Sequence, residues 1–149
     1  MGSERGAARG LTFFFDRSTG KAVPTALRTV GVPVEIHDEL YGVRIVPDEE
    51  WMRAATAKQE ILVTRDRKIR SRPAERELAI AVGARMFVLG GNAGRLDMLR
   101  SLMIAWNPIH VICAAEAPPF IYTIHDSGRL SAVHPEVSRP ARRAGRRKP

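Results

Sequence analysis

The sequence predicts an α/β domain built on a mainly parallel sheet, and three observations support this fold class. Short apolar runs typical of strands begin near residues 11, 34, 61 and 86, at intervals of 23, 27 and 25 residues. Such an interval holds one strand, one crossover helix and the return to the next parallel strand. The segments between the runs carry apolar residues at helical spacing. Finally, isolated acids follow three of the apolar runs, namely Asp16, Asp48 and Asp66.

The first half of the chain supplies two strands and two helices. Residues 11–16 (LTFFFD) form an apolar run of the kind expected from a strand that is covered on both faces. Residues 22–30 have one apolar stripe and predict a helix, and residues 32–37 predict a short second strand. Residues 43–46 (VRIV) fit either a small strand or a loop. Residues 48–59 predict a helix, because three acids in its first turn suit the helix dipole.

The second half continues the alternation. Residues 61–64 (ILVT) predict the third strand, and a helix follows over residues 73–82, where Pro73 suits the first helical position. Residues 86–89 predict the fourth strand. A Gly-rich turn then leads to two helices, over residues 95–106 and 108–115.

A terminal hairpin closes the domain. Its strands are predicted at 120–124 and 130–133, around the turn residues Asp-Ser-Gly. The domain itself is predicted to span residues 11–137. Two segments rich in Gly, Arg and Pro flank it, and both are expected to be disordered: an N-terminal extension, 1–10, and a basic tail, 138–149.

Composition narrows the class of protein. A chain of 149 residues can bury a real core as one domain, and no apolar run approaches the roughly 20 residues of a membrane span. A single cysteine, Cys113, excludes an internal disulfide framework and a cysteine-based zinc site. The N-terminus lacks an apolar signal core, so a cytoplasmic location is expected. Most of the net charge of +8 belongs to the tail, where six of the last eleven residues are basic.

The three strand-linked acids predict a metal site. Ligands of open parallel sheets bind beyond the carboxyl ends of the strands, which is where Asp16 and Asp66 fall, and Asp48 shares a helix face with Trp51. Carboxylates packed together there repel by about 4 kcal/mol per close pair at an effective dielectric near 20. A divalent cation relieves that repulsion, and Mg²⁺ or Mn²⁺ suits carboxylate ligands. Taken singly, each acid also fits a cap or a turn.

Basic residues accompany two of these acids. Cationic side chains beside a metal-binding carboxylate fit a substrate with a phosphate backbone. A loop and helix start that simply face solvent would have the same basic composition. The predicted RNA-binding residues are Arg17, Lys21, Arg65, Arg67, Lys68 and Arg70.

The chain resembles the PIN-like domains of VapC-type toxins over roughly residues 11–133. Four segments carry the resemblance: FFFDRSTGKAVPTALRTVGVPVEIH, VPDEEW, ILVTRDRKIRSRPAE and PPFIYTI. It implies a three-layer α/β/α fold and a Mg²⁺- or Mn²⁺-dependent ribonuclease that a cognate antitoxin neutralises. Asp16, Asp48 and Asp66 match the family's acidic triad. No clear fourth aspartate follows the fourth strand. Asp97 is the nearest candidate, but its place on the following helix suggests exposure, and the other candidates for an additional acid are Glu75, Glu49 and Glu50.

Two other functions fit parts of the same pattern. A phospho-receiver domain also places acids at strand ends. It pairs two acids after the first strand, however, where this chain has Asp16-Arg17. It also has a lysine near the fifth strand, and residues 109–135 contain none. A non-catalytic module could use the basic loop and tail to bind RNA or protein. A homodimer or a toxin–antitoxin hetero-oligomer is the expected assembly, and one stripe of the 95–106 helix (Leu96, Leu99, Met103 and Trp106) is predicted to face either the core or such an interface.

Overall fold

A six-stranded sheet forms the centre of the protein. The computed structural model describes residues 10–91 and 94–136. The sheet has the order β2-β1-β3-β4-β5-β6. Its strands are β1 (Phe13–Phe15), β2 (Val34–Ile36), β3 (Ile61–Thr64), β4 (Arg85–Leu89), β5 (Phe120–Ile124) and β6 (Leu130–His134). The first five strands are parallel and β6 pairs antiparallel with β5, so the predicted fold class and terminal hairpin are confirmed.

Seven helices connect the strands in the described part of the chain. They are α1 (Ala22–Thr29), α2 (His37–Tyr41), α3 (Asp48–Ala57), α4 (Lys68–Ser71), α5 (Pro73–Ala81), α6 (Arg95–Ile104) and α7 (Trp106–Ala115). A 3-10 turn at Arg17–Thr19 follows β1. The sequence did not predict this turn, α2 or α4, because each is shorter than the window over which apolar periodicity can be read. Residues 43–46 form a loop.

Two apolar cores lie on opposite faces of the sheet. Phe13 and Phe15 point into one core, which α1, α6 and α7 cover. Phe14 points into the other, where α3 and α5 pack. Side chains alternate between the faces of a strand, so a strand covered on both sides needs an unbroken apolar run. All three phenylalanines are at most 1% exposed, which explains the FFF run in a three-layer fold.

The strand order places a switch point between β1 and β3. From β1 the chain moves outward to β2, and it then returns across β1 to form β3 on the other side. At such a point the connections leave the two central strands in opposite directions and open a crevice beyond their carboxyl ends. Asp16 and Asp66 follow these two strands, so the fold itself brings the two acids to one edge.

Most of the two predicted terminal segments lies outside the described residues. Only Gly10 of the N-terminal extension is described, and it is exposed. Within residues 10–91 and 94–136 no single helix is long and apolar enough to cross a membrane, although α6 and α7 pass that test as a pair bent by 52°.

The opposite edge of the sheet holds a buried carboxyl group. Glu60 precedes β3 and is 4% exposed. Its Oε1 lies 3.6 Å from Lys58 Nζ, and the same ammonium contacts Glu35. Burial, followed by the hydrogen bond and charge of Glu35, raises the pKa of Glu60 to about 7.

Replacing Glu60 by glutamine is expected to remove a pH dependence of stability. The folded pKa of about 7 lies above the ordinary value of 4.5, so protonation of Glu60 stabilises the fold and this contribution is lost as the pH rises through 7. We expect Glu60→Gln to melt at a higher Tm than wild type at pH 8 and at nearly the same Tm below pH 5. Thermal melts across this range check it; an equal gap at both pH values would contradict it.

Candidate active site

Asp16 is fixed by the turn that follows β1. Its side chain caps the 3-10 turn, because Oδ1 accepts a hydrogen bond from the Ser18 backbone N–H at 3.0 Å and another from the Ser18 hydroxyl. Its own backbone N–H donates to Val63 of the neighbouring strand at 3.1 Å. Asp16 therefore caps the turn, as the sequence allowed, and it also presents a carboxylate at the edge of the sheet.

Thr64 links two of the predicted acids. Its hydroxyl donates to Asp16 Oδ2 at 2.6 Å and accepts a hydrogen bond from the Asp66 backbone N–H at 3.0 Å. Thr64 is the last residue of β3 and is 1% exposed, so the strand holds its hydroxyl rigidly between them. One buried side chain therefore sets the relative position of Asp16 and Asp66.

Asp16 is a buried carboxyl group with a raised pKa. Burial raises the pKa of Asp16, and the charge of Asp66 adds to that effect, while the hydrogen bonds from Ser18 and Thr64 oppose it. The side chain is only 7% exposed and has no cationic partner among its hydrogen bonds. An acid held in this way, beside a second acid in a cleft, is typical of functional sites.

Asp66 and Asp48 are each oriented by a local contact. Asp66 is half-buried, and its Oδ1 accepts a hydrogen bond from the Lys68 backbone N–H at 2.9 Å at the start of α4. Asp48 begins α3, and its Oδ1 accepts a hydrogen bond from Trp51 Nε1 at 3.0 Å. The Trp51 ring stacks on Phe14 with 5.3 Å between ring centroids, so the core of the sheet supports the position of Asp48. Each acid keeps further lone pairs for another ligand.

The three acids line one cleft. This acid cleft has a volume of about 320 Å³ and lies beyond the carboxyl ends of β1 and β3. Its lining consists of Asp16, Arg17, Ser18, His37, Ile45, Val46, Asp48, Trp51 and Asp66. His37 is 4% exposed and packs among Phe14, Trp51 and Tyr41. The structure thus brings together acids that lie up to 50 positions apart in the sequence.

A second cleft adjoins the first and is basic. This basic cleft has a volume of about 600 Å³ and is lined by Ser18, Arg65, Asp66, Arg67, Lys68 and Gly91. Ser18 and Asp66 belong to both clefts, so the acids open directly onto a surface with three cationic side chains. A surface of this charge suits the phosphates of a nucleic-acid strand.

The other three predicted RNA-binding residues lie outside the basic cleft. Arg70 reaches β4, where its Nη1 lies 3.7 Å from the position of a Cβ built on Gly90. Lys21 precedes α1, and its charge acts on Glu39. Arg17 lines the acid cleft, but its guanidinium donates to Asp38 at 2.8 Å and to two loop carbonyls.

The candidates for an additional acid are engaged by arginines on the surface. Glu49 Oε1 lies 2.8 Å from Arg53, one helical turn on, and Glu50 Oε2 lies 3.0 Å from Arg44. Glu75 lies in the first turn of α5, with one carboxyl oxygen 4.0 Å from Arg72 and the other buried without a hydrogen bond. None of the three lines the acid cleft or the basic cleft.

An acid that sequence reasoning missed is Asp126, after β5. A Cβ added to Gly91 would lie 2.2 Å from Asp126 Oδ1, so the carboxylate lies directly against the Gly91 backbone. Gly91 has φ +83° and lines the basic cleft, so glycine suits this position by conformation as well as by space. The signal was an Asp two positions after the end of the fifth strand, which the predicted hairpin turn already explained.

The donor set of the acid cleft fits a hard divalent cation. Asp16 is buried, desolvated and close to Asp66, and all three acids offer oxygen ligands. Within the described residues, no three acidic, histidine or cysteine side chains converge closely enough to form a metal centre by themselves. Mg²⁺ is commonly held by one or two carboxylates, with waters and substrate phosphates completing its octahedron, so the cleft meets its chemical requirement.

Removing the Thr64 hydroxyl tests the role of this residue as a link between the acids. Thr64→Val keeps the shape but leaves Asp16 without one hydrogen bond that lowers its pKa. We expect the Mn²⁺ affinity of the protein to fall about 10-fold, which is the lower end of the effect of removing a group that orients a metal ligand. Calorimetric titration with Mn²⁺ measures it. The matched control is Thr123→Val, on the buried strand β5 and outside both clefts; equal affinities for the two variants would contradict the assignment.

Two comparisons with known proteins gave a match, and a third gave none. Residues 11–91, which carry Asp16, Asp48 and Asp66, match a family model described as "PIN like domain". A protein of Mycobacterium tuberculosis (strain ATCC 25618 / H37Rv) named "Putative ribonuclease VapC45" is 32% identical over 122 residues, which cover 76% of this chain and 86% of that protein. No solved structure matches the chain significantly.

Proposed function

This chain belongs to the PIN-like domain family, and from that premise we propose that it is a metal-dependent endoribonuclease of the VapC type. Its substrate is RNA, and its cofactor is Mg²⁺ or Mn²⁺. In this proposal it works in the cytoplasm as the toxin of a toxin–antitoxin pair. A cognate antitoxin protein neutralises it, within a homodimer or a toxin–antitoxin hetero-oligomer.

One observation carries the proposal: the acid cleft opens into the basic cleft through two residues that both share, Ser18 and Asp66. Phosphodiester hydrolysis needs anionic ligands for a cation and positive charge for the flanking phosphates, side by side. A phospho-receiver domain does not require a basic cleft next to its acids. Acids that act only as helix caps or turn residues do not require one either. The likeness to a protein named as a ribonuclease supports the same conclusion.

Asp16, Asp48 and Asp66 are the proposed metal ligands and catalytic residues. When bound, Mg²⁺ or Mn²⁺ lowers the pKa of a water and offsets charge on the attacked phosphate. Thr64 and Ser18 orient Asp16 and favour its ionised form, since the hydrogen bonds from both oppose the rise in pKa that burial causes. Trp51 holds Asp48 through its indole N–H. The ligands are thus oriented before any substrate binds.

Arg65, Arg67 and Lys68 are the proposed contacts to the RNA backbone. All three line the basic cleft, which shares Asp66 with the acid cleft. Their charge attracts any strand without regard to sequence, and this attraction weakens steeply with salt. In this arrangement a phosphate at the acids is flanked by the next phosphates along the basic cleft.

The test is RNA cleavage by purified wild-type protein, free of any partner, with and without added Mn²⁺ or Mg²⁺. We expect internal cleavage of single-stranded RNA only when one of the metals is present, and none after chelation. RNA binding without cleavage in either metal would instead support the non-catalytic binding module.

A further inference from the structure

An exposed apolar loop contributes to the wall of the acid cleft. This rim loop, residues 42–47, joins α2 to α3 and leads directly into Asp48. Val43 is fully exposed and Ile45 is 89% exposed, although both are aliphatic. Ile45 and Val46 line the acid cleft. Exposed apolar surface that is rimmed by polar residues marks interaction sites and ligand-binding grooves.

The rim loop is held in one conformation despite its exposure. Arg17 Nη2 donates to the Gly42 carbonyl at 3.0 Å and to the Arg44 carbonyl at 3.1 Å, while Arg17 Nε donates to Asp38 at 2.8 Å. The Arg44 guanidinium lies 5.5 Å from the centre of the Tyr41 ring and is 3.0 Å from Glu50. Contacts at both ends therefore present Val43 and Ile45 to solvent without the ordering cost that a mobile loop pays on binding.

The chemistry of the cleft indicates what covers these side chains. A nucleic-acid strand alternates anionic phosphates with bases whose faces are apolar, and unpaired bases bind between aromatic or apolar side chains. The basic cleft offers charge next to the acids, and the rim loop offers apolar surface within the acid cleft itself. Ile45 lines the same cleft as the three acids, so a base beside a phosphate held there has an apolar side chain to contact.

We propose that Val43 and Ile45 form a nucleobase subsite for the nucleotide next to the scissile phosphate, with Arg17 as the positioning residue of that subsite. This inference rests on the proposed ribonuclease function and adds the determinant of its sequence preference. The guanidinium of Arg17 supports the loop carbonyls rather than the RNA backbone.

The test compares intact RNA with RNA that lacks one base. The cleavage site of wild type is first mapped, and a short single-stranded oligonucleotide is then made with an abasic nucleotide beside the scissile phosphate. For wild type, we expect the abasic substitution to lower kcat/KM about 5- to 10-fold, in line with the loss of one base contact. The double variant Val43→Ala/Ile45→Ala should show a similar loss on intact RNA and no further loss on abasic RNA.

The control variant is Val111→Ala, since Val111 is 65% exposed on α7 and lines neither cleft. It should behave as wild type. If the double variant and the abasic site each lower kcat/KM and their effects multiply, the subsite is overturned. It is also overturned if the double variant cleaves intact RNA as wild type does. In that second case the rim loop is free to bind a protein partner. If wild type cleaves no RNA, the proposed function fails by itself. The affinities of wild type and the double variant for intact and abasic RNA are then compared by fluorescence anisotropy in EDTA. Losses of affinity that do not add to one another support the subsite, and multiplying losses or an unchanged double variant overturn it.

Discussion

Asp66→Asn is expected to reduce metal-dependent RNA cleavage at least about 100-fold while leaving the fold intact, because a metal ligand and its charge are lost together. Asparagine keeps the shape of the side chain and still accepts the hydrogen bond from the Lys68 N–H that begins α4. The measurement is the initial cleavage rate of one RNA in Mn²⁺ for both proteins, with circular dichroism to confirm folding.

A matched control separates this effect from the loss of any surface aspartate. Asp97 is an exposed aspartate on α6, paired with Arg100 at 3.2 Å, and it lines neither cleft. Asp97→Asn should cleave RNA at the wild-type rate. If Asp66→Asn keeps more than about a tenth of the wild-type rate, then Asp66 is not a metal ligand in the reaction.

Asp16→Asn is expected to abolish cleavage and to raise the Tm of the metal-free protein by about 2–5 °C near neutral pH. Burial raises the pKa of Asp16, so its ionised form destabilises the metal-free fold. Asparagine removes that charge, and its amide can still accept from Ser18 and donate to the Thr64 hydroxyl. Function and stability are therefore opposed at this position.

The sign of the pH dependence makes this prediction specific. The folded pKa of Asp16 lies above the ordinary value of 3.8, so its destabilising effect is absent at lower pH and grows as the pH rises through the folded pKa. We expect the Tm difference between Asp16→Asn and wild type to vanish near pH 3.5 and to be largest at neutral pH. A variant that melts below wild type at neutral pH would show that the carboxylate stabilises the metal-free fold.

The carboxyl edge of the sheet was predictable because strands and their following acids are adjacent in sequence. An apolar run that stops at Asp16, and another that stops near Asp66, locate both acids once the sheet is known to be parallel. Asp48 followed from helical spacing alone, since it lies three residues before Trp51, and the structure shows the hydrogen bond between them. Local patterns were therefore enough for the acids themselves.

The exposed face of α6 was not predictable from its own residues. Of the predicted stripe, Leu99 and Trp106 are partly buried against the core, whereas Leu96 is 69% exposed and Met103 is 42% exposed. The helix instead buries Met98, Ser101 and Leu102. Apolar residues occur on both sides of this helix, so only its packing against the sheet decides which side is covered. The exposed side remains available to the dimer or partner that the sequence also suggested.

The supporting contacts of the site were the least predictable part. No local pattern indicates that His37, which directly follows β2, is buried in the wall of the acid cleft. The bonds from Arg17 to the rim loop span 25 and 27 positions, and the contact between Gly91 and Asp126 depends on the pairing of β4 with β5. Contacts of this kind arise from the topology, which no local pattern in one sequence records.

The central claim is that Asp16, Asp48 and Asp66 hold one site for a divalent cation, and calorimetric titration of the metal-free protein with Mn²⁺ tests it most directly. We expect binding by wild type and by Asp97→Asn, and a loss of at least about 10-fold in affinity for an asparagine variant at each of the three acids. Binding that any one of the three variants leaves unchanged, or no binding by wild type, would contradict it.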